Sequence, residues 1–174
     1  QFLIDNPAVA MVGGQCKLIN KKGKVVGEKK FPTENKEILN SLFSRNPIQN
    51  PSCMVNLNIV PKTKILIKSK FELAHDLELV FLASNYGKLA NLDEFILKYR
   101  QYPESFSLSN PKKTFFATLA VRLKSIFKYG YIPTFKGVFT TIFQLVFVSL
   151  VPNNLLFPTY KFITDIKVNN LEDV

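Results

Sequence analysis

A chain of 174 residues, 47% hydrophobic and carrying 16 Phe, is long enough for one packed domain and too apolar for a disordered one. Lys and Arg outnumber Asp and Glu by 23 to 13, and the net charge of +10 points to a polyanionic partner: nucleic acid, anionic lipid or a phosphorylated substrate. The single histidine excludes any site that needs two, and Cys16 and Cys53 form no Cys-x-x-Cys metal motif, so both read as small buried hydrophobes in a reducing compartment.

Gln1 to Pro7 reads as the end of a helix running into a turn, without a signal peptide, which implies a polypeptide cut from a longer protein. Ala8 to Val12 is a short apolar run that predicts a buried strand ended by Gly13-Gly14. Gln15 to Asn20 and Lys24 to Lys30 flank the turn Lys21-Lys22-Gly23 and predict a hairpin. A helix follows from Pro32-Thr33-Glu34 through about Phe43, with Thr33 as its cap and Ile38, Leu39, Leu42 and Phe43 as its apolar face. Asn46 to Pro51 is a loop stiffened by two prolines, Ser52 to Val60 reads as a strand, and Lys62 to Lys70 is basic and mostly extended. A helix starts near Asp76 and runs through Ser84, two strand-like segments cover Lys88 to Leu92 and Glu94 to Arg100, and Tyr102 to Asn110 is a loop.

The character changes at Pro111, and a boundary near Asn110 divides residues 1–110 from a helical tail, 111–174. Residues 111–136 hold six basic side chains (Lys112, Lys113, Arg122, Lys124, Lys128, Lys136) and no acid, with Phe115, Phe116, Leu119, Leu123, Ile126 and Phe127 at helical spacing. The 24 residues of 137–160 carry no charge. Within them Gly137 to Val151 would span about 22 Å as a helix, short of a hydrocarbon core of about 30 Å. The preceding basic stretch suits anionic headgroups, so an anchor lying in the membrane plane is the preferred reading, against a helical hairpin packed on the rest of the chain.

Asp76 by itself reads as a helix cap, a position that also suits a general base because the helix dipole favours its carboxylate. Its surroundings say more. Phe71 to Leu79 resembles the segment of family 2 glycosyltransferases in which an acidic pair precedes an apolar helix, with His75 where the family usually has Glu. Asn6 to Gly14 resembles the strand that follows that family's metal-binding Asp-x-Asp region. Asn46-Pro47-Ile48 with Pro51-Ser52 resembles its N-P-x-x-H-P-S loop, with Asn50 in place of the His. Leu97 to Ser107 resembles its Y-R-x-H-x-x-S-x-S segment, with Tyr102 in place of the His. The four segments occur in the family's order across about 100 residues.

The resemblance implies an α/β protein: the C-terminal part of a Rossmann-like GT-A domain, followed by the basic and apolar tail. It implies Asp76 as the base that deprotonates an acceptor hydroxyl, with His75, Asn46, Asn50, Tyr102 and Arg100 on the substrate side. Arg100 has two readings, a positive charge for the donor diphosphate or an acidic acceptor, and a structural ion pair. The expected partners are a nucleotide-sugar, a glycan or lipid-linked acceptor and a membrane surface, with no nucleic acid. The expected place is the cytoplasmic face of a membrane. The family's Mg²⁺ or Mn²⁺ sits on an Asp-x-Asp motif, which this sequence lacks, so those ligands and the nucleotide-binding half are expected upstream of residue 1. Two rival readings remain: a non-catalytic basic module that touches membrane or nucleic acid, and an inactive divergent copy in which His75, Asn50 and Tyr102 record lost function.

Overall fold

The computed structural model describes residues 1–65, 72–100 and 110–152, together with Leu156 and Lys167–Val168. After a short helix α1 (Phe2–Asp5), strand β1 (Val9–Ile19) runs through the centre of the molecule, nearly every residue buried. The chain turns back at Gly23, whose φ of 83° suits a residue without a Cβ, into β2 (Val25–Lys29), which pairs antiparallel with residues 16–19 of β1. Helix α2 (Asn35–Ser41), the two-residue strand β3 (Met54–Val55), a helical turn α3 (Lys62–Ile65) and helix α4 (His75–Ser84) follow. Strand β4 (Lys88–Arg100) then lies parallel to β1 along its whole length. Helices α5 (Pro111–Tyr129) and α6 (Phe135–Leu150) follow, and β5 (Lys167–Val168) pairs with β2.

The class is therefore α/β, built on a mixed sheet. β1 has β4 along one edge, while its other edge is shared end to end by β3 at Met11–Val12 and β2 at Cys16–Ile19. A hydrophobic cluster that includes Ala10, Met11, Ile38, Leu42, Val60, Leu77, Phe81 and Leu89 packs sheet and helices together, and its apolar burial is the main favourable term in folding.

Gly13-Gly14 does not end the first strand, as the sequence suggested; β1 continues straight through it. Both glycines answer a packing need instead. A Cβ on Gly13 would meet Asn91 Oδ1 at 2.5 Å and Ile48 Cγ2 at 2.8 Å, and one on Gly14 would meet Ile96 Cδ1 at 2.6 Å. Opposite them β4 is likewise one strand, not two. It bulges where Gly14 pairs with Leu92 but Gln15 pairs with Phe95, leaving Asp93 and Glu94 without a partner. The Gln15 side chain repairs the break. Its amide nitrogen donates to Leu92 O (2.9 Å) and Phe31 O (3.2 Å), and its oxygen accepts from Phe31 N (2.7 Å).

Three further expectations are corrected. Thr33 does not cap α2; the cap position is Glu34, with no side-chain hydrogen bond. The strand expected over Ser52 to Val60 shrinks to Met54–Val55, because Asn56 turns the chain: its amide donates to Val9 O (3.1 Å) and its oxygen accepts from Asn58 N (3.1 Å). Lys62–Ile65 is helical, not extended, and the remainder of that basic stretch lies outside the described residues.

Helix α5 is stopped by Gly130 in the left-handed region (φ 62°) and docks on α4. Val121 joins the main cluster, and the buried Glu78 carboxylate takes Lys124 Nζ (2.7 Å), Lys128 Nζ (3.2 Å) and Tyr129 OH (3.1 Å). With both lysines partly exposed, these ion pairs add little net stability. No helix among the described residues is long and apolar enough to cross a membrane.

Candidate functional site

Asp76 stands at the second residue of α4, two positions after the cap. The cap position is Ala74, and no side chain bonds there. The carboxylate is half-buried; Oδ1 accepts from Leu77 N at 2.8 Å and Oδ2 from Asn46 Nδ2 at 3.1 Å. Asn46 is itself oriented, its oxygen accepting from Ile48 N at 3.3 Å. Two segments 30 residues apart thus meet at one carboxylate. The loop is held to the sheet by Ser52, whose hydroxyl accepts from Gly14 N (3.3 Å) and donates to Gln49 O (2.7 Å).

Two groups near Asp76 escape sequence reading. Lys29, near the end of β2, donates from Nζ to Gln49 Oε1 (3.2 Å) and lies over the Phe31 ring. Burial pushes its ammonium down from the usual lysine range; Cys16 pulls it back up, Arg45 pushes it further down, and Asp76 pulls it up again. Cys53 is half-buried, and its thiol donates to Asn50 Oδ1 at 3.6 Å. Burial raises its pKa, and the charge on Asp76 raises it further. Both cysteines are free, as expected.

Of the residues singled out in sequence, Asp76 and Asn46 bond directly, while Asn50 accepts from the Cys53 thiol, which feels the Asp76 charge. His75, the first residue of α4, is exposed beside Asp76. Arg100 is engaged elsewhere, its guanidinium donating to the backbone carbonyls of Asn20 and Lys21 in the β1–β2 turn rather than to a carboxylate. Tyr102 lies outside the described residues. A shallow depression of about 410 Å³, lined by Lys17, Phe95, Ile96, Leu97 and Lys98, opens over β4 and does not include Asp76.

Among the described residues no group of three or more His, Cys, Asp or Glu could hold a metal. One carboxylate with an ammonium and a guanidinium in electrostatic range is a poor divalent-cation site, so the donor set here does not fit Mg²⁺ or Mn²⁺. No protein-family model, no characterised protein and no solved structure matches the chain.

Cys53 can report on Asp76. At mildly alkaline pH its alkylation by iodoacetamide is expected to be slower than that of a free thiol, because the thiolate is disfavoured by burial and by the neighbouring carboxylate. Asp76→Asn should speed the reaction several-fold, while buried Cys16 stays unlabelled until the protein unfolds. An unchanged rate in the variant would show that the carboxylate does not act on the thiol. A thiol whose folded pKa is raised stabilises at neutral pH, and this contribution is lost as pH climbs through that folded value.

Proposed function

We propose that this chain is the acceptor-side part of an inverting glycosyltransferase of the GT-A kind. Asp76 is its general base, and the membrane-facing glycan or lipid-linked acceptor hydroxyl is its target. The observation that carries the reading is the 3.1 Å bond from Asn46 to Asp76. It joins two segments whose family resemblance was noted separately and leaves the carboxylate half-buried, within reach of a substrate. In the reaction the acceptor O–H gives its proton to the Asp76 carboxylate. The oxygen bonds to the anomeric carbon of the nucleotide-sugar, and the bond from that carbon to the diphosphate breaks, releasing the nucleoside diphosphate. Asn46 and the Leu77 N–H orient the carboxylate; one oxygen lone pair on each side remains for the incoming proton. No step is assigned to a metal in this chain.

The reading is tested by offering a panel of uridine and thymidine diphosphate sugars, with a membrane-lipid extract as acceptor, to the protein extended upstream to include a nucleotide-binding half. Release of nucleoside diphosphate that depends on the extract is expected. No turnover with any donor would overturn the active-enzyme reading and favour an inactive copy.

A further inference from the structure

Helix α6 is amphipathic in the inverted sense. The side turned to the body of the protein is its small and polar one. Thr141 Oγ1 donates to Phe43 O at 2.7 Å, Gln144 Nε2 donates to Ser44 O at 3.1 Å, and a Cβ on Gly137 would lie 3.3 Å from Phe43 Cβ. These contacts satisfy carbonyls just beyond the C-terminal end of α2. The side turned outward is mainly apolar, with exposed Lys136 and Ser149 at its margins: Phe135 (89% exposed), Phe139 (68%), Ile142 (55%), Phe143 (58%), Val146 (52%) and Leu150 (78%). Their positions follow one helical face. Phe127 (89%) and Ile132 (87%), on the approach to α6, extend the exposed apolar surface into the connecting turn. A helix of a water-bathed domain turns the opposite side outward, and a patch of this extent marks a contact surface.

Charge selects the occupant. Of the six basic side chains in residues 111–136, Arg122 is buried and Lys124 and Lys128 pair with Glu78, which leaves Lys112, Lys113 and Lys136 for a partner, while 137–160 carry no charge. Lys113 and Lys136 are exposed at the start of α5 and in the first turn of α6. A second copy of this chain would bring like charges together, whereas an anionic bilayer offers acyl chains to the phenylalanines and headgroups to the lysines. A 16-residue helix spans about 24 Å, too short to cross.

We propose that α6, with the turn before it, is an in-plane membrane anchor, its Phe135–Leu150 face sunk among the acyl chains of an anionic leaflet and its lysines at the headgroups. The surface stands independently of the transfer reaction.

The test is co-sedimentation of the whole chain with vesicles of phosphatidylcholine alone and of phosphatidylcholine with phosphatidylserine. Partition onto the anionic vesicles is expected, only partly reversed by high salt. The triple variant Phe135→Gln, Phe139→Gln, Phe143→Gln should lower it about tenfold or more, with an unchanged melting temperature because all three side chains are exposed. The chain contains no Trp, so Phe143→Trp supplies a single indole whose emission should shift to the blue on vesicles and be quenched by lipids brominated in the acyl chain. Equal partition of the triple variant, complete release by salt, or an unquenched indole would overturn the anchor. So would a dimer that the triple variant converts to monomer without any vesicle binding, since the face would then belong to a second copy.

Discussion

Asp76→Asn in the catalytically complete protein is expected to lower the transfer rate by about 10²–10⁴ while lowering the melting temperature by several degrees at most. The rate loss corresponds to about 3–5 kcal/mol of barrier. The structural cost is smaller, for reasons visible in the site. Asp76 does not cap α4, since Ala74 holds that position without a side-chain bond. The asparagine oxygen can still accept from Leu77 N, but its amide nitrogen then faces the Asn46 amide, which must turn and release Ile48 N. What is lost is a favourable charge in the first helical turn, about 0.3–1 kcal/mol, and the Asn46–Ile48 bond, about 0.5–1.5 kcal/mol. Steady-state rates and thermal melts of the two proteins decide the matter. Wild-type turnover in the variant would remove Asp76 from the chemistry, and a melting temperature lowered in step with activity would make its role structural.

Gln15→Leu is expected to destabilise the fold by about 3–4 kcal/mol, a loss at the upper end for single substitutions. Leucine matches the volume, so no cavity explains the effect. Gln15 is 1% exposed, and its removal strips partners from Phe31 N, Phe31 O and Leu92 O. Leu92 borders the bulge, so no neighbouring strand residue is in register to replace the lost donor. Urea unfolding measures the change. A midpoint within the error of wild type would mean that water satisfies the three groups and that the bulge does not depend on Gln15.

The sequence revealed elements where local signals and tertiary demands agree. The turn at Lys21-Lys22-Gly23 and the helix ending at Ser84 are examples, and so is α5, whose Pro111 start and Gly130 stop bracket an apolar repeat. It misled where a residue serves a distant partner. Gly13-Gly14 looks like a turn because glycine usually breaks strands, yet here it makes room for Asn91, Ile48 and Ile96. Thr33 looked like the cap of α2 but does not serve as one, while Asn35, the first residue of that helix, accepts on its side-chain oxygen from Leu89 N at 2.8 Å, 54 residues away. In the candidate site, Asp76 and Asn46 could be found because family-like segments surround them. Lys29 could not be picked from a chain so rich in lysine, nor Cys53 from its lone cysteine context, because only folding brings the end of β2 and the 46–53 loop beside α4. The apolar stretch of α6 was legible; which side faces inward was not, since that depends on the carbonyls beyond α2.

The place of β4 beside β1 carries a consequence for how the chain reaches its native state. Gln15 meets Phe31 across 16 residues but Leu92 across 77, so the two halves of its hydrogen bonding close loops of very different size. The longer closure costs about 1.4 kcal/mol more in chain entropy. The hairpin of β1 with β2 therefore forms early, and the parallel partner arrives only after α2, the proline-bearing loop and α4 have collapsed. Until then one full edge of the most apolar strand in the molecule stands open, with its backbone donors and acceptors unpaired. That interval is when the chain is most prone to associate with other copies of itself, and refolding yield should fall with protein concentration even where the finished fold is stable.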